Sequence, residues 1–366
     1  MNDKKLFTPS IYVTSASKDA IGKTALCLGL ALNFKDFGLK VGYFKPIGRG
    51  NVKDGNRFLD SDALLMKYAL ELEDDVDLLN PINLDYYYLE KYLEINHREV
   101  LEKVKTSYSE SSRNKDLMII ESLHEPCLGL SLGLPAMRIA KMLNSYVLFV
   151  SSNCKDEALD EALCGAYYSK LEGIKRVGIV FNCVWREVEE RMHTVIIPLL
   201  RKRKLQVWGA IPRHLLITAP TVGELVEVLG GEVLVCEENL SNVVENFLVG
   251  AMRQESAISY FRRAPRKAMI TGGDRPDLAL AAMETDTSAI ILTGNIFPDV
   301  HVLAKAKEKG IPVILVPYDT YSTVQKIHEV SGKIKAGDVK RINLAKELVT
   351  KYVDYKGLLT HVGIDI

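Results

Sequence analysis

The stretch IYVTSASKDAIGKTALCLGLAL, Ile11 to Leu32, decides how the chain begins to fold. Its β-branched opening predicts a strand over 11–14, its apolar second half predicts a helix over 23–37, and the loop between them closes in Gly22-Lys23-Thr24. A phosphate-binding loop has this order for a physical reason. Consecutive backbone N–H groups and a helix N-terminus converge on an anion, the lysine reaches the outer phosphates, and the hydroxyl that follows holds Mg2+. The glycine that opens G-x-x-x-x-G-K-[ST] is absent and Ser17 stands there, which is free of strain only at negative φ. A Gly-Lys-Thr can also merely begin a helix, so the rest of the chain has to decide.

Outward from the loop, short apolar runs alternate with helical patterns. Strands are expected at 41–45, 117–121, 146–152, 175–182 and 206–212, with helices at 61–73 and near 87–110. The strands are nearly continuous in apolar residues, as parallel strands covered on both faces are. The fold class is therefore α/β, a P-loop NTPase-type parallel sheet flanked by helices and followed by a smaller α/β domain. Pro212 and Pro220 mark a change of character, and the boundary is placed near 217. The domains are expected at 1–216 and 217–335, with a charged helical tail at 336–366. In the second domain a helix is expected at 221–229 and strands at 232–235, 267–270, 289–293 and 312–320, and in the tail a helix at 337–354.

Composition narrows the partners. A chain of 366 residues with 47% hydrophobic content favours two domains, and 47 basic residues balance 47 acidic ones, which removes the footprint of a nucleic-acid or anionic-membrane binder. Cys27, Cys127, Cys154, Cys164, Cys183 and Cys236 form no C-x-x-C pair and read as reduced core residues of a cytoplasmic protein. The opening MNDKKLFTPSIYV has no apolar segment before a cleavage site, and no uncharged apolar run reaches the ~18 residues of a membrane span, so neither export nor insertion is expected.

Three further residues converge on the loop. GYFKP ends a strand in Lys45, at the edge where open α/β sheets bind ligands. Asp62 lies in the first turn of a helix and Glu121 ends the strand LMIIE. Each has an ordinary structural use, as a dipole-stabilising acid or a strand-end charge. Together Thr24, Asp62 and Glu121 supply one hydroxyl and two carboxylates for a hard, oxygen-liganded ion such as Mg2+.

Residues 11 to about 212 resemble dethiobiotin synthetase in motif content and order: ASKDAIGKT, YFKP, SDA, IIES and VFNCV stand where that family has its loop, strand ends and helix start. The resemblance implies that Lys23 and Thr24 hold phosphate and Mg2+, that Asp62 and Glu121 complete the metal site, that Lys45 faces the acceptor or transferred phosphate, and that Asn182 contacts adenine. Lys23 and Lys45 are then the candidate catalytic residues, and Ser17, Lys18, Gly22, Lys23, Thr24 and Asn182 line ATP. The leading Gly-Thr-Asp-Thr of the family loop is replaced by Ala16-Ser17-Lys18-Asp19, and the family's glycine-rich segment after the glutamate reads SLHEPCLGLSLGLPAMRIA here. Nucleotide binding is thus better supported than the family's substrate chemistry.

Residues from about 218 to 330 resemble the DRTGG domain, with its name-giving residues split between two turns: Asp274 and Arg275 in GGDRPD, Thr293 and Gly294 in TGN. These four are the candidate ligand residues of the second domain. The pairing of the two domains is similar to the N-terminal region of long phosphotransacetylases and to free-standing proteins of this build. No segment after Val330 is long enough for the further catalytic domain of those enzymes, so acetyl transfer is not expected.

Other residues tempt and carry less. Lys18 falls where deviant Walker A ATPases carry a signature lysine, but Asp19 and Ala20 replace both glycines and a solvated loop lysine is the simpler reading. His124 and the tyrosines at 86–88 have ordinary surface roles, and neither a Ser-His-Asp arrangement nor a zinc-ligand cluster is present. The expected function is a regulatory or accessory protein that binds Mg-ATP and a second small molecule. Its expected partners are another copy of the chain, a dimer first, and a partner enzyme. The competing readings are an ATP-dependent carboxylate-activating ligase and a nucleotide-gated interaction module.

Overall fold

The computed structural model describes the chain except residues 1–7, 16, 18–20, 56, 85–87, 89, 91–96, 124–126, 251, 329–331 and 366. Lys18, His124, Tyr86 and Tyr87 therefore lie outside the described residues. The chain divides into two compact units, 1–213 with 334–366, and 214–333.

The first unit is built on six parallel strands: β1 (Ser10–Ser15), β2 (Val41–Phe44), β3 (Leu117–Glu121), β4 (Tyr146–Ser151), β5 (Val177–Val184) and β6 (Gln206–Pro212). They lie in the order β6-β5-β4-β1-β3-β2, with every neighbouring pair parallel. The apolar runs are continuous because both faces are covered: Ile11, Tyr12, Ile119, Ile120, Leu148 and Phe149 are all buried. Helix α1 (Lys23–Asp36) follows β1 and packs beside α2 (Ser61–Leu70). On the other face, α3 (His97–Ser111) and α4 (Glu157–Leu171) share one core with Tyr12, Phe44, Ile120 and Phe149. The helices after the neighbouring strands β1 and β4 thus leave to opposite faces, which makes the carboxyl ends of these strands a topological switch point.

The second unit holds α5 (Val222–Leu229), α6 (Gln254–Arg263), α7 (Pro276–Met283), α8 (Val300–Lys309) and α9 (Thr320–His328) around a five-stranded sheet. Its strands β7 (Glu232–Val235), β8 (Asn246–Val249), β9 (Lys267–Gly272), β10 (Thr287–Thr293) and β11 (Val313–Leu315) lie in the order β7-β11-β10-β9-β8. Only β7 runs antiparallel to its neighbour. Sequence patterning foresaw neither β8 nor α6, and it extended the last strand to 320, whereas β11 stops at Leu315 ahead of Pro317.

The chain then rejoins the first unit. The expected charged tail is two helices, α10 (Val339–Tyr352) and α11 (Tyr355–Val362), and α10 lies along α1. Contact is close enough that a Cβ on Gly29 would meet Val349 Cγ2 at 2.4 Å and Ala345 O at 2.6 Å. Buried Asn33 donates to Lys346 O (3.1 Å) and accepts from Thr350 Oγ1 (2.7 Å), and Lys346 pairs with Asp36 (2.7 Å). This explains why α1 is apolar all round: it is sandwiched between the sheet and α10. After α10 the chain runs along β6, bridging Gly209 to Val353, with Asp354 N donating to Trp208 O (2.7 Å). Of the cysteines expected in the core, Cys27, Cys183 and Cys236 are buried, whereas Cys127 and Cys164 are exposed. No helix among the described residues is long and apolar enough to cross a membrane.

Candidate nucleotide site

Helix α1 starts from Gly22, whose φ of +86° is a conformation that favours glycine. A side chain there would also collide with Asn182, since an added Cβ would lie 2.0 Å from Asn182 Nδ2. Asn182 Nδ2 donates to Ile21 O (3.0 Å) and Ser152 Oγ accepts from Ile21 N (3.1 Å). The ends of β5 and β4 therefore grip the entry to α1. Asn182, expected at the adenine, also positions the loop. Ser17 is half-buried in a bend beside the loop residues that are not described.

Lys23 is buried, and its ammonium donates to Ser15 Oγ at 2.6 Å. Burial pushes its pKa below the ordinary lysine value, Glu121 opposes that shift, and Lys45 adds to it. One residue on, Thr24 Oγ1 donates to Glu121 Oε1 (2.7 Å), while Tyr43 Oη donates to Glu121 Oε2 (2.8 Å). Burial, with Asp62 nearby, pushes the Glu121 carboxyl up to about 7 against the pull of Lys45. The same burial and the neighbouring carboxylates hold the Tyr43 hydroxyl well above its usual value.

Lys45 completes the network from β2. Its Nζ pairs with Asp60 Oδ1 (3.0 Å) and Asp62 Oδ2 (2.5 Å). Burial disfavours the ammonium, but Asp62, Glu121 and Asp60 outweigh it and raise the pKa above the ordinary lysine value. Asp60 is the N-cap of α2: Oδ1 accepts from Asp62 N (3.0 Å) and Ala63 N (3.1 Å), and Oδ2 from Arg49 N (3.0 Å). One buried carboxylate thus fixes the helix that carries Asp62 and the lysine that Asp62 binds.

The structure brings Lys23, Thr24, Lys45, Asp62 and Glu121 into one connected cluster at the carboxyl edge of β1, β2 and β3. It adds Ser15, Tyr43, Asp60 and Ser152, which sequence reasoning missed. Two of these were findable. Tyr43 and Lys45 are two residues apart in the strand expected at 41–45, where such residues share a face, and Asp60 precedes Ser61-Asp62-Ala63 as a capping residue does. No group of three or more His, Cys, Asp or Glu that would hold a metal ion by itself occurs among the described residues. The donor set of Thr24, Asp62 and Glu121 instead suits Mg2+, which keeps waters and phosphate oxygens in its shell.

In the second unit the two turns meet as expected. Gly272 pairs with Thr293 at the ends of adjacent strands, and a Cβ on Gly273 would lie 1.8 Å from Ile296 O, so only glycine allows the turns to close on each other. Gly294 and Asn295 both have positive φ, 77° and 54°. Arg275 makes a two-pronged pair with Asp277 (3.0 and 2.9 Å) and donates to Met252 O (3.2 Å), while Asp274 is exposed. Buried Thr293 shares a hydrogen bond with Thr320 (2.9 Å).

A parallel sheet with a glycine-lysine-threonine turn at the N-terminus of its first helix defines the P-loop NTPase class. More than half of the chain, residues 9–221, matches the AAA domain family, and the chain belongs to it. Residues 224–330 match the DRTGG domain. The phosphate acetyltransferase of Pseudomonas putida is 22% identical over 94% of this chain and 50% of its own length, so the chain spans about half of the curated relatives of that kind. The ATP-dependent dethiobiotin synthetase BioD of Methanocaldococcus jannaschii is 27% identical over 48% of this chain and 79% of its own. Among solved structures, a putative plasmid partition protein of Borrelia burgdorferi bound to AMPPNP covers 57% of this chain and 88% of its own, at 13% identity and a TM-score of 0.39.

Proposed function

We propose that the first unit binds Mg-ATP and that the protein is regulatory or accessory, its nucleotide state coupled to a second ligand or to self-association through the DRTGG unit. One observation carries the reading: two buried lysines, a hydroxyl and two carboxylates gather at the start of α1, each hydrogen-bonded or ion-paired and the charged groups close enough to shift one another's pKa. Lys23 and Lys45 would meet the outer phosphates, Thr24, Asp62 and Glu121 would hold Mg2+, and Asn182 would border the base. The bound ion would supply charge neutralisation of the phosphates. Similarity to phosphate acetyltransferases supports a link to acyl-CoA or acetate metabolism.

The experiment is calorimetric titration of the full chain with ATP, with and without Mg2+, for wild type and Arg275→Ala. Linkage requires that a ligand coupled to the DRTGG unit and ATP shift each other's affinity by one common factor. Wild-type ATP affinity and assembly state in Arg275→Ala would remove the coupled-sensor reading. The similarity to BioD, together with the two lysines at the site, favours as second reading an ATP-dependent ligase. That reading requires ATP hydrolysis that accelerates when a diamino acid is supplied.

A further inference from the structure

Lys45 is buried against two carboxylates. Its ammonium lies between Asp60 Oδ1 (3.0 Å) and Asp62 Oδ2 (2.5 Å), and Asp62 belongs with Thr24 and Glu121 to the Mg2+ donor set. We propose that Lys45 is a built-in stand-in for the divalent cation, occupying Asp62 until a metal–nucleotide complex arrives, so that metal and nucleotide enter the site together. This rests on the reading of the site as one for Mg-ATP.

The two partners of Lys45 differ in a way that makes an exchange workable. Asp60 is committed: its side chain is 3% exposed and accepts from three backbone N–H groups besides the lysine. Asp62 is the open side of the pair, with 26% of its side chain exposed against 5% for Lys45. An incoming cation therefore meets Asp62 first, while Asp60 keeps Lys45 in place when Asp62 leaves it.

The charge balance explains why neither ligand would enter well alone. Free Mg2+ taking Asp62 would leave a dication beside an ammonium that has lost one counter-ion in a buried, low-dielectric setting. Free ATP drawing Lys45 toward phosphate would leave Asp62 facing an anion. The complex satisfies both at once: Asp62 trades an ammonium for the metal, and Lys45 trades a carboxylate for a phosphate oxygen. Lys45 is in this account a specificity-determining residue that favours the metal–nucleotide complex over either ligand alone, and Asp60 is the positioning residue that retains it.

The test reads metal binding without nucleotide. Mn2+, followed by its paramagnetic signal, is titrated into nucleotide-free wild type, Lys45→Met, and the charge-balanced double variant Asp60→Asn/Lys45→Met, with cooperative thermal unfolding as the check on folding. Removing the ammonium is expected to tighten free Mn2+ on the order of tenfold or more in both variants, and adding Asp62→Asn to either is expected to abolish the gain. ATP should raise Mn2+ affinity strongly in wild type and by a smaller factor in the variants. Folded variants whose free Mn2+ affinity stays within about twofold of wild type, below half a decade of coupling, would overturn the proposal, as would failure of both to fold, which would make Lys45 a structural counter-ion. Absence of ATP binding in wild type sinks the nucleotide reading instead, and the metal titration still decides the role of Lys45.

Discussion

Replacing Lys23 by methionine separates binding from folding more cleanly than any other change at this site. The lysine is 5% exposed, its ammonium 2.6 Å from Ser15 Oγ, and burial depresses its pKa. A lysine whose pKa is lower in the folded than in the unfolded chain binds fewer protons when folded. Stability therefore rises with pH as the group deprotonates, and at neutral pH the charged lysine is a cost to the fold. Methionine keeps most of the length and removes that cost, so the melting temperature of the nucleotide-free variant should stay level or rise at pH 7. The nucleotide pays the opposite way. Truncating one partner of a buried charge-assisted pair costs about 2 to 5 kcal/mol, and each ~1.4 kcal/mol is a tenfold change in affinity, so ATP should bind roughly thirty- to several-thousand-fold more weakly. Calorimetric titration measures the affinity and differential scanning calorimetry the stability. A folded Lys23→Met protein with wild-type ATP affinity would refute the phosphate-loop reading. One that melts well below wild type would show that the lysine braces the fold and that the sign argued from its burial is wrong.

Three further changes test separate parts of the account. Gly22→Ala places a Cβ 2.0 Å from Asn182 Nδ2 at a φ of +86°, so it should cost about 1–3 kcal/mol of stability and weaken ATP binding, measured by urea unfolding and titration. Gly29→Val forces α1 and α10 apart, since even a Cβ meets Val349 at 2.4 Å; a loss of about 2–3 kcal/mol with faster proteolysis of the C-terminal helices is expected, and an unchanged digestion pattern would contradict the packing. Glu121 is held near 7, above its unfolded value, so the stability it favours is full at low pH and is lost as pH rises toward 7. Glu121→Gln should accordingly raise the melting temperature at pH 8 more than at pH 5, while Mg2+-dependent ATP binding falls at both.

How much of this was legible depends on the range over which each signal acts. Strand-loop-helix order at Ile11 to Leu32 is local chemistry, and the structure reproduces it with β1 ending at Ser15 and α1 starting at Lys23. Buried parallel strands announce themselves because each is apolar on both faces, which is why 117–121 and 206–212 match residue for residue. Strand β8 does not announce itself. Asn246–Val249 is a four-residue edge strand with half-exposed side chains, and so short a run has no periodicity to read. The tail was legible as a helix, Val339–Tyr352 against the expected 337–354, but its packing was not, for the converse reason. Charges along Val339–Tyr352 describe the solvent face of α10, and its inner face is legible only from α1, where Leu26, Leu28, Leu30 and Phe34 leave no polar stripe for solvent. An apolar run such as TALCLGLAL in a helix too short to cross a membrane requires cover on two sides, and that requirement was already present in the sequence.

At the site itself the division falls between residue identity and residue charge. Sequence motifs named Lys23, Thr24, Lys45, Asp62 and Glu121 because spacing along strands and helix starts selects positions. They could not reveal that Lys45 faces two aspartates, because Asp60 and Asp62 reach it only through the hairpin Gly50–Asp54 and Arg57–Asp60. A motif fixes which atoms can meet a ligand, whereas the resting partners of those atoms are a property of the folded cluster. Buried charges must be neutralised in every state the protein visits. Here that work falls to the protein's own side chains, and on the proposed reading the affinity for ATP would include the cost of separating Lys45 from Asp62. Any substitution that loosens this pair without emptying the site should therefore strengthen binding of one ligand alone at the expense of the cooperation between them.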